Sequence, residues 1–138
     1  MISESLDTYF PKLAMMPELK KDIMTISKMI KIEAGTVILK QGAYIKIIPL
    51  LISGLAKVFK EDEDGHEVLV YYIKPGESCV MSVTTLVHHG VSQVKAVIEE
   101  DAEVVVIPAD KAMMIAKKYP QWNEFMYDLF NIKFEELL

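Results

Sequence analysis

The sequence predicts a mainly β fold with flanking helices, built as a barrel or sandwich rather than a parallel α/β sheet. Short β-rich runs punctuated by glycine occupy the middle of the chain, and apolar residues at helical spacing occupy both ends. The 138 residues are 51% hydrophobic, which is enough for one domain with a buried core. We expect a helical cover over residues 1–30, a β-roll over 31–108 and C-terminal helices over 109–138.

The first thirty residues predict two amphipathic helices. Pro17 separates them and suits the first turn of the second helix, where a missing N–H costs nothing. The apolar residues that recur at three-to-four spacing are Leu6, Tyr9, Phe10 and Leu13, then Leu19, Ile23 and Ile26.

The middle of the chain predicts short strands joined by turns. The expected strands are Lys31–Glu33, Thr36–Leu39, Ile45–Ile52, Leu55–Lys60, Glu67–Ile73, Val94–Glu99 and Glu103–Ile107. Ser53 and Gly54 predict one turn, and Asp64 and Gly65 predict a tight hairpin turn. The strand Glu67–Ile73 is apolar on both faces, so we expect both to be buried, and Pro49 predicts an edge or a kink.

Between residues 81 and 89 we expect one or two helical turns, and after residue 108 two longer helices. Asp110 falls in the first turn of one helix and Lys117 and Lys118 in its last, as the helix dipole favours. Pro120 opens the second, whose apolar stripe is too wide for a helix that only covers its own roll. Its three-four-three spacing predicts a dimerisation seam, formed by Trp122, Phe125, Leu129 and Ile132.

Composition excludes several classes of function. A net charge of −5 and a pI near 5.2 disfavour nucleic-acid binding by this segment. The single cysteine, Cys79, cannot form an internal disulfide or hold an iron–sulfur cluster. Because the start of the chain carries no secretory signal and no stretch is long and apolar enough to span a bilayer, we expect a cytoplasmic location.

Several segments, in this order and spacing, resemble the Crp/Fnr family of bacterial transcription regulators. They are Lys40–Gly42, Ile52–Val58, Asp64–Cys79, Val104–Pro108 and Phe134–Leu138. The resemblance implies a double-stranded β-helix (a jelly-roll, cupin-like β-roll) that senses an effector, and a long C-terminal helix that pairs with its twin in a homodimer. It also implies a winged helix-turn-helix that reads DNA, which we expect beyond residue 138.

The resemblance also implies where an effector would bind. In relatives that bind cyclic nucleotides, a Gly-Glu turn meets the ligand, and Gly76 and Glu77 match it here. The implied ligand-binding residues are Gly76, Glu77, Ser78, Cys79, Ser92 and Gln93 of the roll, with Tyr127 and Asn131 of the long helix.

The phosphate cassette of such relatives ends in an arginine, and this feature is missing. All 15 basic residues are lysine, and Ser92, Gln93 and Val94 stand where the cassette would end in an arginine and a hydroxyl residue. Lys95 is an odd number of steps from Ser92, so in a strand the two face opposite ways. Since a buried phosphate needs a partner charge, a cyclic nucleotide is disfavoured. The neutral stretch between Glu77 and Ser92 instead suits an apolar or weakly polar effector, whose identity the sequence leaves unknown.

Other readings of the same residues remain open. The long helix could serve a dimerisation module of this fold that binds no effector. A cupin-like metalloenzyme would need an H-x-H pair, which this chain lacks, so we predict neither an enzyme nor a metal site. His88 and His89 are adjacent and point apart, which disfavours chelation, and haem would need one of them in a large apolar pocket. Cys79 could be a redox-sensing thiol, although a buried apolar role is commoner.

Overall fold

The computed structural model describes residues 1–138 and contains six helices and five strands. The helices are α1 (Ile2–Tyr9), α2 (Pro11–Ala14), α3 (Pro17–Ile26), α4 (Val80–Val87), α5 (Ala109–Lys118) and α6 (Pro120–Leu137). The strands are β1 (Lys28–Ile32), β2 (Val37–Leu39), β3 (Ile47–Glu61), β4 (Glu67–Ile73) and β5 (Lys95–Pro108). None of the helices is long and apolar enough to cross a membrane.

The strands form one antiparallel sheet, as expected for a mainly β fold with flanking helices. Its order is β1-β5-β3-β4, and β2 also pairs with β5. The centre is the long pairing of β3 with β5, in which Leu50 lies opposite Val105 and Val58 opposite Ala96. Whether the sheet closes as a jelly roll stays a prediction of the resemblance.

Ser53 and Gly54 do not form the turn that the sequence predicted. Strand β3 runs through both residues, and the register against β5 shifts on either side of them. Gly54 has a φ of +87°, and a Cβ there would lie 2.5 Å from the carbonyl oxygen of Asp101. The glycine therefore forms a bulge at a close backbone approach. Facing it, β5 is one strand from Lys95 to Pro108, where the sequence predicted two.

The strand after the Asp64–Gly65 hairpin is buried only in its second half, so the prediction of two buried faces was wrong. Val68 is 59% exposed, whereas Tyr71 and Ile73 are buried. Where helices contact the sheet, they do so on β3 and β5 rather than on β4, so the first half of β4 stays exposed. Pro49 lies in a part of β3 that β4 does not reach, as an edge position requires.

The terminal helices pack together on one side of the sheet. The predicted first helix ends at Tyr9, because Pro11 restricts Phe10 to a non-helical conformation (φ −131°, ψ 55°) and starts α2. The ring of Phe10 meets that of Phe125 of α6 edge-on, with centroids 5.7 Å apart. Helix α6 and the N-terminal helices thus share one hydrophobic core. A second core, formed by sheet residues, surrounds Val58, Tyr71 and Ile98.

Candidate functional site

The turn after β4 is held by its own side chains and by β3. Gly76 adopts a φ of +87°, which glycine allows without strain, and its N–H donates to the carbonyl of Leu51 at 2.8 Å. The carboxylate of Glu77 folds back on the turn, where its Oε1 accepts the N–H of Lys74 at 2.9 Å. Glu77 therefore shapes the turn as well as carrying charge.

A buried ion pair links this turn to helix α6. The Nζ of Lys133 lies 2.7 Å from Oε1 of Glu77, and the two side chains are 4% and 16% exposed. Lys133 also contacts Glu136 at 3.3 Å and lies 5.8 Å from the ring centroid of Tyr71. Two carboxylates and an aromatic face thus compensate the burial of the ammonium group.

Sequence reasoning did not assign Lys133 to the site. A signal was present, since the buried stripe of α6 runs through Trp122, Met126 and Leu129 at three-to-four spacing, and Lys133 is its next member. A lysine in an apolar stripe needs a buried partner. That partner, Glu77, is brought near only by the fold.

Tyr71 occupies the interior next to this pair. Its hydroxyl accepts the N–H of Met81, in the first turn of α4, at 3.0 Å and lies 3.5 Å from the sulfur of Cys79. Burial, and secondarily the neighbouring Cys79, raises the pKa of Tyr71 well above its ordinary value, so the phenol stays protonated. The neutral hydroxyl of Tyr71 therefore accepts a backbone N–H at the start of α4 that would otherwise be available to bind an anion.

The structure does not bring the eight predicted ligand-binding residues into one site. Ser78 and Ser92 are buried, and their hydroxyls donate to the carbonyls of Pro49 and Val94. Gln93 and Asn131 are exposed, and Tyr127 is 76% exposed. Each serine is satisfied by a backbone group nearby, a contact that a strand pattern cannot predict. Lys95 extends to Glu61, 3.5 Å away, consistent with its predicted outward side.

Three of the four residues predicted for the dimerisation seam belong to the chain's own core. Trp122, Phe125 and Leu129 are buried against the sheet and the N-terminal helices, and only Ile132 is largely exposed, at 47%. A different stripe of α6 presents apolar groups to solvent. We call it the outer face, and it comprises Tyr127, Phe130, Phe134 and Leu137.

Two cavities adjoin α4. One, of about 310 Å³, lies between α4 and α6 and includes His88 and Tyr127 in its lining. The other, of about 240 Å³, lies between β2, the segment leading into β3 and the start of α4. We call the second the β2–α4 cavity. Cys79 lines it, as do Ser82, Lys40 and Lys46.

The histidines do not gather into a ligand set of their own. His66 approaches Asp62 and Asp64 in the exposed β3–β4 hairpin. The Asp62 carboxylate there accepts the N–H groups of Asp64 and His66, at 2.9 and 2.8 Å, so turn formation accounts for the cluster. His89 follows the end of α4 with a φ of 54°, a left-handed conformation that commonly ends a helix.

Comparison with known proteins gives a family match over most of the chain. The model of the family described as cyclic nucleotide-binding domain matches residues 29–119. No curated protein sequence matches the chain.

Several solved structures share its fold. The catabolite activator protein of Thermus thermophilus has a TM-score of 0.72 at 20% identity, covering 88% of this chain and 56% of that one. A transcriptional regulator of the Crp/Fnr family from Eubacterium rectale has a TM-score of 0.74 at 21% identity, covering 84% and 54%. The sensor domain of the regulator DNR from Pseudomonas aeruginosa has 0.74 at 13%, covering 97% and 89%. This chain thus spans little more than half of the first two and most of the isolated sensor domain.

Proposed function

Because this chain belongs to the cyclic nucleotide-binding domain family, which it matches over residues 29–119, we propose that it is the effector-sensing domain of a Crp/Fnr-type transcription regulator. Its effector is not a cyclic nucleotide. The DNA-reading domain lies beyond residue 138, and the working form is a homodimer. The fold shared with a Crp/Fnr regulator and with a sensor domain supports this assignment.

The observation that carries the proposal is that the polar groups of the roll interior already satisfy one another. Glu77 is bound by Lys133, and the N–H of Met81 is bound by Tyr71. The hydroxyl of Ser92 donates to the carbonyl of Val94, and the chain contains no arginine. A nucleotide would have to break these contacts and bury a phosphate without a partner charge, which is costly.

The same contacts give α6 a mechanical link to the sensing side. Lys133 of α6 pairs with Glu77 in the turn after β4 and lies over the ring of Tyr71. The hydroxyl of Tyr71 in turn binds the N–H of Met81 at the start of α4. An effector that binds more tightly to one arrangement of α4 would therefore bias the position of α6 by its difference in affinity. Helix α6 would pass that bias to the domain that follows.

Isothermal titration calorimetry of the 138-residue chain with cAMP and cGMP tests the exclusion of cyclic nucleotides. We expect no saturable heat from the wild type, because the only buried cation, Lys133, is committed to Glu77. The matched control is Lys74→Met, which removes an exposed lysine from the same turn.

Saturable binding that is lost in Lys133→Met but kept in Lys74→Met would contradict the proposal. It would mean that Lys133 leaves Glu77 to neutralise a phosphate. The arginine missing from the cassette would then be replaced by a lysine from α6.

A dimerisation module that binds no effector is the second candidate. The apolar outer face of α6 favours it, since exposed Phe130 and Phe134 stack on each other with ring centroids 6.4 Å apart. The two candidates differ in whether any small molecule stabilises the chain, which a thermal-shift panel of metabolites reports. Stabilisation by one compound that also changes DNA occupancy of the longer protein favours the sensor.

A further inference from the structure

The β2–α4 cavity has the features of a binding site, and it borders the filled roll interior through Cys79 and Ala96. Of its 12 lining residues, eight are hydrophobic, and its volume of about 240 Å³ lies just below the usual range for small-molecule pockets. Neither Tyr71 nor Glu77 nor Ser92 lines it. The contacts that close the roll interior therefore leave this cavity open.

One hydroxyl in the lining of this cavity, that of Ser82, has no hydrogen-bond partner in the chain. Ser82 is only 3% exposed and belongs to the lining. Ser78 and Ser92 bond to backbone carbonyls, but the hydroxyl of Ser82 takes part in no hydrogen bond of the chain. A hydroxyl carries one donor and two acceptor positions, so Ser82 can form a hydrogen bond with a ligand in the cavity.

Two lysines without carboxylate partners flank the same cavity. Lys40 and Lys46 line it, are exposed, and take part in none of the chain's ion pairs. The neighbouring acid Glu61 is already paired with Lys95, at 3.5 Å. The rim is thus positively charged in a chain whose net charge is −5. An anionic group placed there would stay partly hydrated, so it would avoid the cost of full burial.

We propose that the β2–α4 cavity binds a small amphiphilic anion, with its apolar body inside and its head group between Lys40 and Lys46. Ser82 donates a hydrogen bond to the ligand. Since one water fills about 30 Å³ of liquid, the cavity has room for a body of about eight non-hydrogen atoms. This inference rests on the proposed sensing function and names the chemical class of the effector.

The site is connected to α6 by contacts already described. Cys79 lines the cavity, and its sulfur lies 3.5 Å from the hydroxyl of Tyr71. Tyr71 in turn underlies Lys133 of α6. A ligand that pushes on Cys79 and Ser82 therefore reaches α6 through two side chains.

The test is an NMR titration of the ¹⁵N-labelled chain with sodium octanoate, in parallel with sodium octyl sulfate and neutral 1-octanol. We expect octanoate to shift the amide signals of residues 37–47 and 79–82, and 1-octanol to bind about tenfold more weakly. The paired substitution Lys40→Met and Lys46→Met should weaken octanoate about tenfold and leave 1-octanol unchanged. Tight binding of octyl sulfate as well would support a general anionic head group, and its failure would restrict the head group to a carboxylate.

The matched control is the pair Lys60→Met and Lys111→Met, which makes the same change in net charge at exposed lysines outside the cavity. It should bind octanoate like the wild type. Equal weakening by both pairs, shifts confined to the α4–α6 cavity, or no saturable shift would each overturn the inference. The calorimetric result with cyclic nucleotides is independent of all three outcomes, so the proposed function can stand while this ligand class fails.

Discussion

At the scale of single residues, one buried lysine does the most to distinguish this domain. Lys133 would be costly in an apolar stripe by itself, and it is tolerated because Glu77 and Glu136 meet it. Removing one partner of a buried pair leaves the other charge uncompensated, whereas removing both can be almost neutral. The pair therefore holds α6 against the turn after β4, while it adds little stability compared with an apolar pair of similar volume.

We expect Lys133→Met to lower the free energy of unfolding by about 2–3 kcal/mol, below the usual cost because Glu77 keeps the N–H of Lys74 and some solvent. Adding Glu77→Gln should restore part of that loss. Urea denaturation of the two single variants and the double variant measures the coupling. Lys12→Met, which breaks an exposed pair with Asp128, should change stability by less than about 1 kcal/mol. A double variant less stable than Lys133→Met would contradict this account.

Substitutions at Gly54 and Gly65 distinguish the conformational cost of a positive φ from the steric cost of an added Cβ. Both have positive φ, +87° and +81°, but a Cβ at Gly54 would meet three backbone atoms within 2.8 Å and one at Gly65 would meet none within 4 Å. Gly65→Ala should therefore cost only conformational strain, about 1–2 kcal/mol. Gly54→Ala should cost about 1–3 kcal/mol more, because β3 and β5 must separate at the bulge. Equal midpoints in urea for the two variants would show that the bulge relaxes freely.

At the scale of elements, a half-buried carboxylate joins the N-terminal helices to the junction of α5 and α6. Asp22 of α3 accepts hydrogen bonds from the hydroxyl of Tyr119 at 2.5 Å and from Lys118 at 3.1 Å. The Tyr119 hydroxyl, and then Lys118, lower the pKa of Asp22 below its ordinary value of 3.8. The helical cover is thus attached by charge as well as by its apolar face.

This attachment should depend on pH in the acid range. A carboxyl whose folded pKa is lowered contributes stability above its unfolded pKa and loses that contribution as pH falls through the folded value. The stability difference between wild type and Asp22→Asn should therefore be constant near neutral pH and shrink once the pH falls below 3.8. Thermal melts across that range measure it. Tyr119→Phe should reduce the effect more than Lys118→Met, and a difference that stays constant in acid would contradict the assignment.

At the scale of the whole molecule, α6 has two apolar sides, one in the core and one in solvent. Trp122, Phe125 and Leu129 complete the core of this chain, while the outer face remains in solvent. The sequence showed that the stripe was too wide for one contact. The predicted seam took Trp122, Phe125 and Leu129 as outward residues, whereas they lie in the chain's own core.

If the chain is a homodimer, the outer face should form its interface. We expect the paired substitution Phe130→Glu and Phe134→Glu to yield monomers by sedimentation equilibrium, because the like charges would meet across the interface. Val68→Glu, at an exposed position of β4, should leave the association unchanged. A double variant that still sediments as a dimer would exclude the outer face as the seam.

The sequence by itself determined the order and type of most elements, since these depend on local chemistry. Pro17 and Pro120 begin α3 and α6 as predicted, and Asp64 and Gly65 form a hairpin turn. The absence of arginine was likewise visible at once. Propensity, turn chemistry and composition act over a few residues, so a single sequence is enough to show them.

Only the tertiary structure decided what the polar groups do. Lys133 and Glu77 are far apart in sequence, and the hydroxyl of Tyr71 in β4 meets the N–H of Met81 in α4 only in the folded chain. The same holds for the bulge at Gly54. The local sequence predicts a turn there, but the close approach of Asp101 in β5 shows that the residue lies within a strand pair. Burial and pairing are properties of contacts between distant segments, and the physical cost of a charge or a hydroxyl is fixed by those contacts rather than by its neighbours in the chain.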